Sequence, residues 1–470
     1  MRLERGDGGE VKRSGWLRPC ACALALALAS CGPFRSVGNF FFGGGPTEGE
    51  PGHVTGFLGG VVADEPRAAL IGRAMLSRGG DAADAAVAIG FALGVTLPSR
   101  AGLGGGGACL AYNPASDSVN KGLPEAVLFL PGATSGAGGD RPAAIPMVAR
   151  GLFALHARYG RRPFETLISP AEQLARFGVP ASRALVRDFQ VVAAPLLQDP
   201  SARQVFAPNG APLTEGADLV QPDLGSTLAQ IRVAGVGDFY QGALARRIEQ
   251  ASQIAGGPIT IADLRNELPR VAPPVTIGVG RDNVSFPPAP ADGGPAAAAA
   301  LQVLQREPSA VGEANAAALA AAASLRGVPS LPPLPASSTF LVLDRDGQAV
   351  ACALTMDNLF GTGRILPGLG ILLAASPRTS PLPLLSTALA WNENIHAFRA
   401  ETGGSGQEGA ALAAAYAMLN ALRTNGPMPS PVPEPGRANV IACSRYLPGS
   451  PGSCFWATDP RGAGLAIGGE

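Results

Sequence analysis

Three hydroxyl residues, Ser337, Ser338 and Thr339, stand between a proline-rich segment and the apolar residues 340–343. A serine hydroxyl is a poor nucleophile until a base takes its proton. The chain contains three histidines in total, which leaves few candidates for the base of a conventional Ser-His-Asp triad. The simplest interpretation is a loop that enters a strand, where hydroxyl side chains are common. The alternative is a nucleophile at the start of a strand, and it depends on the elements that position it.

The elements next to the hydroxyl cluster predict a buried hairpin. Asp346 and Gly347 form a turn signal, and the four apolar residues 340–343 predict a strand that is buried on both faces. Many alanine-rich helical segments surround it, so the sequence predicts an α/β sandwich with sheets between helices. Asp64 is expected to cap a first helix near Pro66, and Asp81 is expected to open a second.

The N-terminus predicts export from the cytoplasm. Basic residues precede the short apolar run "ACALALALAS", which is too short to span a bilayer comfortably as a mature helix. The following Leu28-Ala29-Ser30-Cys31 resembles a bacterial lipobox. We therefore expect a signal peptide at residues 1–30, lipidation of Cys31, a flexible tether at residues 31–57 and a periplasm-facing lipoprotein of the bacterial envelope. The alternative is an ordinary signal peptide with a chance cysteine.

Composition narrows the remaining possibilities. The 470 residues can bury a sizeable core, and 46% hydrophobic content predicts a globular chain. Lys+Arg and Asp+Glu both total 36, which disfavours nucleic acid as a partner. Cys443 and Cys454 bracket a short turn and form a plausible disulfide, whereas Cys109 and Cys352 are expected to be inert core residues. No spacing suggests zinc, and we expect no metal or cofactor.

Longer segments carry a family resemblance that covers nearly the whole mature chain. They are "GGVVADEPRAALIGRAMLSRGGDAADAAVAIGFALGV", "AGLGGGG", "IPMVARGLFALHARYGRRPFETLISPAEQLARFGVPAS", "GGPITIADL", "STFLVLDRDGQAVACALTMDNLFGTGRILPGLGILL" and "DPRGAGLAIGG". Together they resemble the gamma-glutamyltranspeptidase (glutathione hydrolase) family of N-terminal nucleophile hydrolases. The resemblance implies a four-layer αββα sandwich.

The resemblance also implies that the chain cuts itself. Family members cleave before a hydroxyl residue at the start of a buried strand, which here places the cut between Ala336 and Ser337. The implied products are a large part, residues 58–336, and a small part, residues 337–470, which stay associated. Ser337 takes the nucleophile's place, where the family normally has threonine. Its freed α-amine, with a reference pKa near ~8, can serve as the base.

Further site residues follow from the same resemblance. Thr355 would orient the Ser337 amine or hydroxyl, and Gly403 and Gly404 would bind the oxyanion through backbone N–H groups. Ser338 and Asp357 would contact substrate, although Asp357 stands where an asparagine is usual. Without the resemblance, Thr355 is a strand-end threonine and the two glycines form a plain turn.

Substrate recognition departs from the family pattern. Leu130 occupies the position of the arginine that holds the substrate carboxylate, and leucine cannot reproduce that bidentate contact. "GILLAASPRTS" lacks the family's acidic residues and "PLPLLSTALA" lacks its serine pair. Arg100 or Arg378 could substitute for the missing cation.

Three hypotheses remain open after these departures. The chain is an active hydrolase or transferase that cleaves a gamma-glutamyl or related amide of a small molecule through an acyl-enzyme on Ser337. Alternatively, it is a non-catalytic envelope lipoprotein that keeps the fold as a scaffold. In the third case it matures itself but has no turnover.

Overall fold

The computed structural model describes residues 56–115, 117–136, 139–327, 334–424 and 432–469. The predicted signal peptide, the lipidated Cys31 and nearly all of the predicted tether lie outside these residues. Among the helices that are described, none is both long enough and apolar enough to cross a membrane.

Two antiparallel sheets form the centre of the described chain. Their strands are β1 Gly59–Ala63, β2 Gly106–Tyr112, β3 Glu125–Phe129, β8 Arg270–Ala272, β9 Val275–Val279, β10 Asp282–Phe286, β11 Pro335–Asp344, β12 Ala349–Asn358, β13 Ser386–Asn392, β14 Ala397–Ser405, β15 Arg437–Leu447, β16 Cys454–Thr458 and β17 Leu465–Gly468. Short strand pairs lie outside the sheets: β4 Gly132–Ala133 with β5 Ala144–Ile145, and β6 Val179–Pro180 with β7 Asp218–Leu219. Over the described ranges, one sheet has the order β17-β1-β11-β12-β2-β3-β8 and the other β16-β15-β14-β13-β10-β9.

Helices cover the outer face of each sheet. They are α1 Pro66–Ser77, α2 Ala82–Thr96, α3 Pro98–Ala101, α4 Val148–Tyr159, α5 Phe164–Phe177, α6 Arg183–Leu196, α7 Pro200–Phe206, α8 Pro222–Ala234, α9 Val236–Gln241, α10 Ala243–Ile254, α11 Ile261–Asn266, α12 Gly293–Arg306, α13 Val311–Arg326 and α14 Ala410–Thr424. Helices α1, α2 and α4 pack on the first sheet, and α12 and α14 pack on the second. A third apolar cluster, which includes Leu341, Leu389 and Ile441, joins the sheets. The predicted four-layer αββα sandwich is confirmed.

The hairpin of β11 and β12 lies in the middle of the first sheet. Residues 340–343 are all fully buried, because one face meets the helical layer and the other meets the second sheet. The turn falls at the predicted Asp346 and Gly347, where Gly347 has a φ of 88° that favours glycine. Both the hairpin and its two-sided burial were therefore predicted correctly.

Two local predictions were wrong. Glu65, not Asp64, caps α1, because the Glu65 carboxylate accepts the Ala68 N–H at 2.8 Å while the Asp64 side chain faces β11. Cys109 and Cys352 are not free thiols: they stand opposite each other on β2 and β12 and form a disulfide. The predicted disulfide between Cys443 and Cys454 is confirmed, since β15 and β16 place them in register.

Candidate active site

Ser337 lies near the start of β11 and lines a cavity. Strand β1 pairs with β11 only from Phe340 to Asp344, so the first residues of β11 extend past the end of β1. On the other side Ser337 is paired with Thr355 of β12. Ser337 is 6% exposed and, with Ala336, lines a cavity of about 370 Å³. The predicted nucleophile and the predicted cleavage site therefore share one accessible space.

Thr355 contacts the peptide bond that precedes Ser337. Its hydroxyl donates a hydrogen bond to the carbonyl oxygen of Ala336 at 2.7 Å. The same hydroxyl accepts the backbone N–H of Asp357 at 2.9 Å, which fixes the direction of its proton. Because Thr355 is fully buried, water does not compete for this carbonyl from the threonine side. The uncut chain thus holds a donor against the carbonyl where a cleavage reaction would develop negative charge.

Asp64 and Asn439 form hydrogen bonds with the two residues of β11 that follow Ser337. Asp64 follows β1, and its carboxylate accepts the Thr339 N–H at 2.8 Å and the Ser338 hydroxyl at 3.3 Å. The Asn439 side-chain amide donates to the Asp64 carboxylate at 2.8 Å and to the Thr339 carbonyl at 3.1 Å. Burial raises the pKa of the Asp64 carboxyl, and the hydrogen bonds from Thr339 and Asn439 oppose that rise. These hydrogen bonds fix the residues that follow Ser337.

Arginine side chains form much of the cavity wall. Arg100 follows α2 in the short helix α3 and donates from Nε and Nη2 to Asp188 of α6, at 2.6 and 2.5 Å. The Ser99 hydroxyl binds the same carboxylate at 2.7 Å. Arg187, the neighbour of Asp188 on α6, is exposed at the rim. The wall near Ser337 therefore carries a preorganised guanidinium beside a solvent-facing one.

A second pair of arginines also lines the cavity. Arg461 binds Asp459 at 2.7 Å and Glu434 at 2.6 Å. Arg437, at the start of β15, binds Glu434 at 2.9 Å. These contacts tie the loop after β16 to the segment before β15, so this part of the wall is held together by ion pairs.

The predicted oxyanion glycines lie in a strand instead of a turn. Gly403 and Gly404 belong to β14 and pair with residues of both β13 and β15. A Cβ on Gly403 would stand 2.7 Å from the Cβ of Thr339, and one on Gly404 would stand 2.0 Å from the carbonyl oxygen of Ala410 in α14. The glycines thus permit β14 to approach β11 and α14 closely. Ser405, Gly406 and Gln407, which follow them, line the cavity.

The predicted substrate contacts are buried away from the cavity wall. The Ser338 hydroxyl donates a hydrogen bond to the Asp64 carboxylate. Asp357 is fully buried at a φ of 63°, and neither carboxylate oxygen has a hydrogen-bond partner among the described residues. Burial raises the pKa of the Asp357 carboxyl well above its usual range. Leu130 packs against the cluster between the sheets.

Of the two arginines that could replace the missing cation, one lies at the same cavity as Ser337. Arg100 lines the cavity, whereas Arg378 is not among its lining residues. Asp64, Asn439, Arg187 and the loop from Asp459 to Gly464 were not predicted as site residues. Only the resemblance of "DPRGAGLAIGG" to a family segment pointed to that loop, and no local pattern marked the others.

Solved structures place this architecture in a known class. A cephalosporin acylase from Bacillus halodurans superimposes with a TM-score of 0.70 at 20% identity, covering 90% of this chain and 98% of that one. At this identity the match shows the fold alone. The gamma-glutamyltranspeptidase of Helicobacter pylori has a TM-score of 0.50 at 27% identity, over 60% of this chain and 84% of that one. The fold is that of the N-terminal nucleophile hydrolases.

Sequence comparison assigns the family within that class. A profile described as Gamma-glutamyltranspeptidase matches residues 68–324, which is more than half of the chain. The chain belongs to the gamma-glutamyltranspeptidase family. It is 34% identical to the glutathione hydrolase proenzyme of Bacillus subtilis over 257 residues, 50% of this chain and 42% of the relative. The corresponding protein of Escherichia coli is 27% identical over 379 residues, 67% of this chain and 65% of the relative. The chain thus spans less than half the length of the B. subtilis relative.

Proposed function

We propose that this protein is a self-processing amidohydrolase or transferase whose nucleophile is Ser337. The observation that carries the proposal is the hydrogen bond from Thr355 to the carbonyl oxygen of Ala336. It places a buried donor on the one peptide bond whose cleavage turns Ser337 into an N-terminal residue. Membership of the gamma-glutamyltranspeptidase family supports the same reaction class.

The first reaction is cleavage of the chain. The Ser337 hydroxyl attacks the Ala336 carbonyl carbon, its proton passes to the Ser337 nitrogen as the C–N bond breaks, and that nitrogen leaves as the α-amine of Ser337. The resulting ester between Ala336 and the Ser337 oxygen is hydrolysed by water, which restores the hydroxyl. Thr355 stabilises the negative charge on the Ala336 oxygen in both steps. Residues 58–336 and 337–470 then remain associated through the β1–β11 and β2–β12 pairs.

The second reaction is turnover of an external amide. The α-amine of Ser337, with a reference pKa near ~8, takes the proton of its own hydroxyl, which attacks the substrate carbonyl. The acyl group moves to Ser337 and the amine product leaves with a proton. Water or an acceptor amine then releases the acyl group. We assign Thr355 to orienting Ser337, and the Gly403 and Gly404 N–H groups to the oxyanion.

The substrate class is a gamma-glutamyl or related amide of a small molecule. Leu130 removes the arginine of the family pattern, and burying a carboxylate without a cation costs several kcal/mol. Arg100 lines the cavity that contains Ser337, and Asp188 holds its guanidinium in place. We therefore assign recognition of an acidic substrate group to Arg100, with Asp357 and Ser338 as supporting residues behind the cavity wall.

The proposal includes the location of the protein. Cys31 is the lipid attachment site of a periplasm-facing bacterial lipoprotein, and the lipid is its only membrane contact. The basic N-terminus, the apolar run and the Leu-Ala-Ser-Cys sequence support this assignment.

A non-catalytic scaffold is the second candidate function. It is favoured by Asp357 and Glu401, two buried carboxyl groups whose oxygens have no partner in the described part of the chain. Neither residue lines the cavity that contains Ser337, so neither carboxyl group contacts a substrate there directly. A scaffold of this kind keeps the fold and does not require the bond before Ser337 to break.

A denaturing gel of the purified protein separates the two functions. The enzyme gives two bands, and sequencing of the smaller one starts at Ser337. Ser337→Ala is expected to fold and stay uncut, whereas Ser337→Thr, which retains the hydroxyl, is expected to be cut. A single full-length band for the wild type supports the scaffold, and two bands for Ser337→Ala contradict the choice of nucleophile.

A further inference from the structure

Asp64 differs from the other carboxylates of the cavity wall in its partners. Asp188 is paired with Arg100 and Asp459 with Arg461, so each carries a matched charge. The hydrogen bonds to Asp64 come from neutral donors: the Thr339 N–H, the Ser338 hydroxyl and the Asn439 amide. Asp64 is also only partly buried, because the cavity exposes it. Among the described residues it forms no direct ion pair, and the cation that acts on it, Arg100, does so from a longer distance.

Cleavage before Ser337 creates a new positive charge in the same cavity. The amide nitrogen of Ser337 carries no charge in the uncut chain, and after cleavage it becomes an ammonium group. Cleavage also breaks the chain near the start of β11, between Ala336 and Ser337, and chain termini fray unless they are tied down. Asp64 already holds the Ser338 hydroxyl and the Thr339 N–H, so it is placed to keep the new terminus in register.

We propose that Asp64 is the positioning residue and counter-charge for the α-ammonium group that self-cleavage releases on Ser337. The inference rests on the proposed function and adds a residue to it. An anionic neighbour favours the protonated amine, so Asp64 moves the formation of the free amine to higher pH. Near neutral pH a smaller fraction of the amine is then free to act as a base, while the amine is held in a fixed position.

The other charged groups of the cavity wall are either ion-paired or exposed to solvent. On α3 and α6, Arg100 is ion-paired with Asp188, and its guanidinium also acts on the Asp64 carboxylate from a longer distance. Elsewhere in the wall, Arg461 is paired with Asp459, and Arg437 binds Glu434. Arg187 is exposed at the rim, where solvent screens its charge.

The test measures the pH at which the Ser337 amine loses its proton in the matured protein. Periodate oxidises the 1,2-amino alcohol of an N-terminal serine through the free amine, and mass spectrometry follows the reaction on the small fragment. Asp64→Asn removes the charge and keeps an acceptor for Thr339. We expect the midpoint of the rate-against-pH curve to fall by about half to one pH unit. The acid limb of amide turnover is expected to move by the same amount.

Asp64→Glu is the matched control, because it keeps a negative charge at the same position. Its midpoint is expected to stay closer to that of the wild type than the midpoint of Asp64→Asn. If Asp64→Asn does not fold, Asp64→Ser, which is also neutral, provides the same comparison.

The outcomes distinguish this inference from the proposed function. A wild-type protein that is uncut, and so does not react at Ser337, contradicts the proposed function itself. A matured Asp64→Asn with the wild-type midpoint overturns the inference alone. A folded Asp64→Asn that stays uncut also overturns it, because the inference gives Asp64 its role after cleavage.

Discussion

The hydrogen bond from Thr355 to the Ala336 carbonyl predicts a large kinetic effect on self-cleavage. Thr355→Val keeps the shape of the side chain and removes the donor. The bond is 2.7 Å long, its threonine is fully buried and Ala336 is 4% exposed, so water cannot replace it easily. Removal of one oxyanion donor of this kind slows acyl transfer by about 10²–10³-fold, or roughly 3–4 kcal/mol. We expect the same factor for the appearance of the Ser337 fragment.

The assay follows the conversion of full-length chain into two fragments on denaturing gels after cell-free synthesis. Thr355→Ser retains the hydroxyl and is the matched control, with a rate expected within about tenfold of the wild type. Thr355→Val also leaves the Asp357 N–H without its acceptor, which costs about 1–3 kcal/mol of stability. Thermal unfolding of the uncut chain therefore accompanies the gels. Cleavage of a folded Thr355→Val at the wild-type rate would refute the reasoning.

Three further outcomes are expected. Cys31→Ala is expected to lose lipid labelling and membrane association, and a mature, lipid-labelled form of this variant would contradict the anchor. The matured wild type is expected to hydrolyse a chromogenic gamma-glutamyl anilide slowly, because Leu130 replaces the arginine of the family pattern and Arg100, the substitute cation, is already paired with Asp188. Arg100→Ala is expected to be slower still, and rapid wild-type turnover that is lost in Ser337→Ala would contradict this. Burial raises the pKa of the Glu401 carboxyl well above its usual range, so the folded protein retains a proton that the unfolded chain releases above pH ~4.3, and stability falls as the pH rises. Glu401→Met is expected to be more stable at pH 7 by about 1–3 kcal/mol in the free energy of unfolding. If this free energy, measured by urea unfolding, changes with pH equally in both proteins, the prediction is wrong.

Local patterns in the sequence were sufficient for the centre of the fold. The apolar run at residues 340–343 indicates burial directly, and Asp346 with Gly347 indicates a chain reversal. Both features are as predicted. The pairing of Cys109 with Cys352 could not be read in this way. It depends on the register of β2 against β12, which brings together residues 243 apart in the chain.

The same limit applies to the candidate site. Ser337 and Thr355 were predicted through a resemblance, and the hairpin register brings them together. Asp64 was predicted as a helix cap, because an aspartate before Pro66 is typical of that role. Glu65 supplies the cap, which leaves the Asp64 carboxylate to bind β11, 275 residues away. A local signal that fits two adjacent acidic residues cannot decide which of them faces the site.

Under the proposed function, the acceptor of the Thr355 hydroxyl lets this one residue serve two successive reactions. In the uncut chain the hydroxyl is engaged by the Ala336 carbonyl, so it is not available to the Ser337 nitrogen. Cleavage turns that carbonyl into part of a new C-terminal carboxylate and turns the nitrogen into an amine. Because Ser337 stays paired with Thr355 through the ladder of β11 and β12, the hydroxyl can then orient the amine. A chain that never cuts keeps this donor occupied, so proof of cleavage has to precede any assay of turnover.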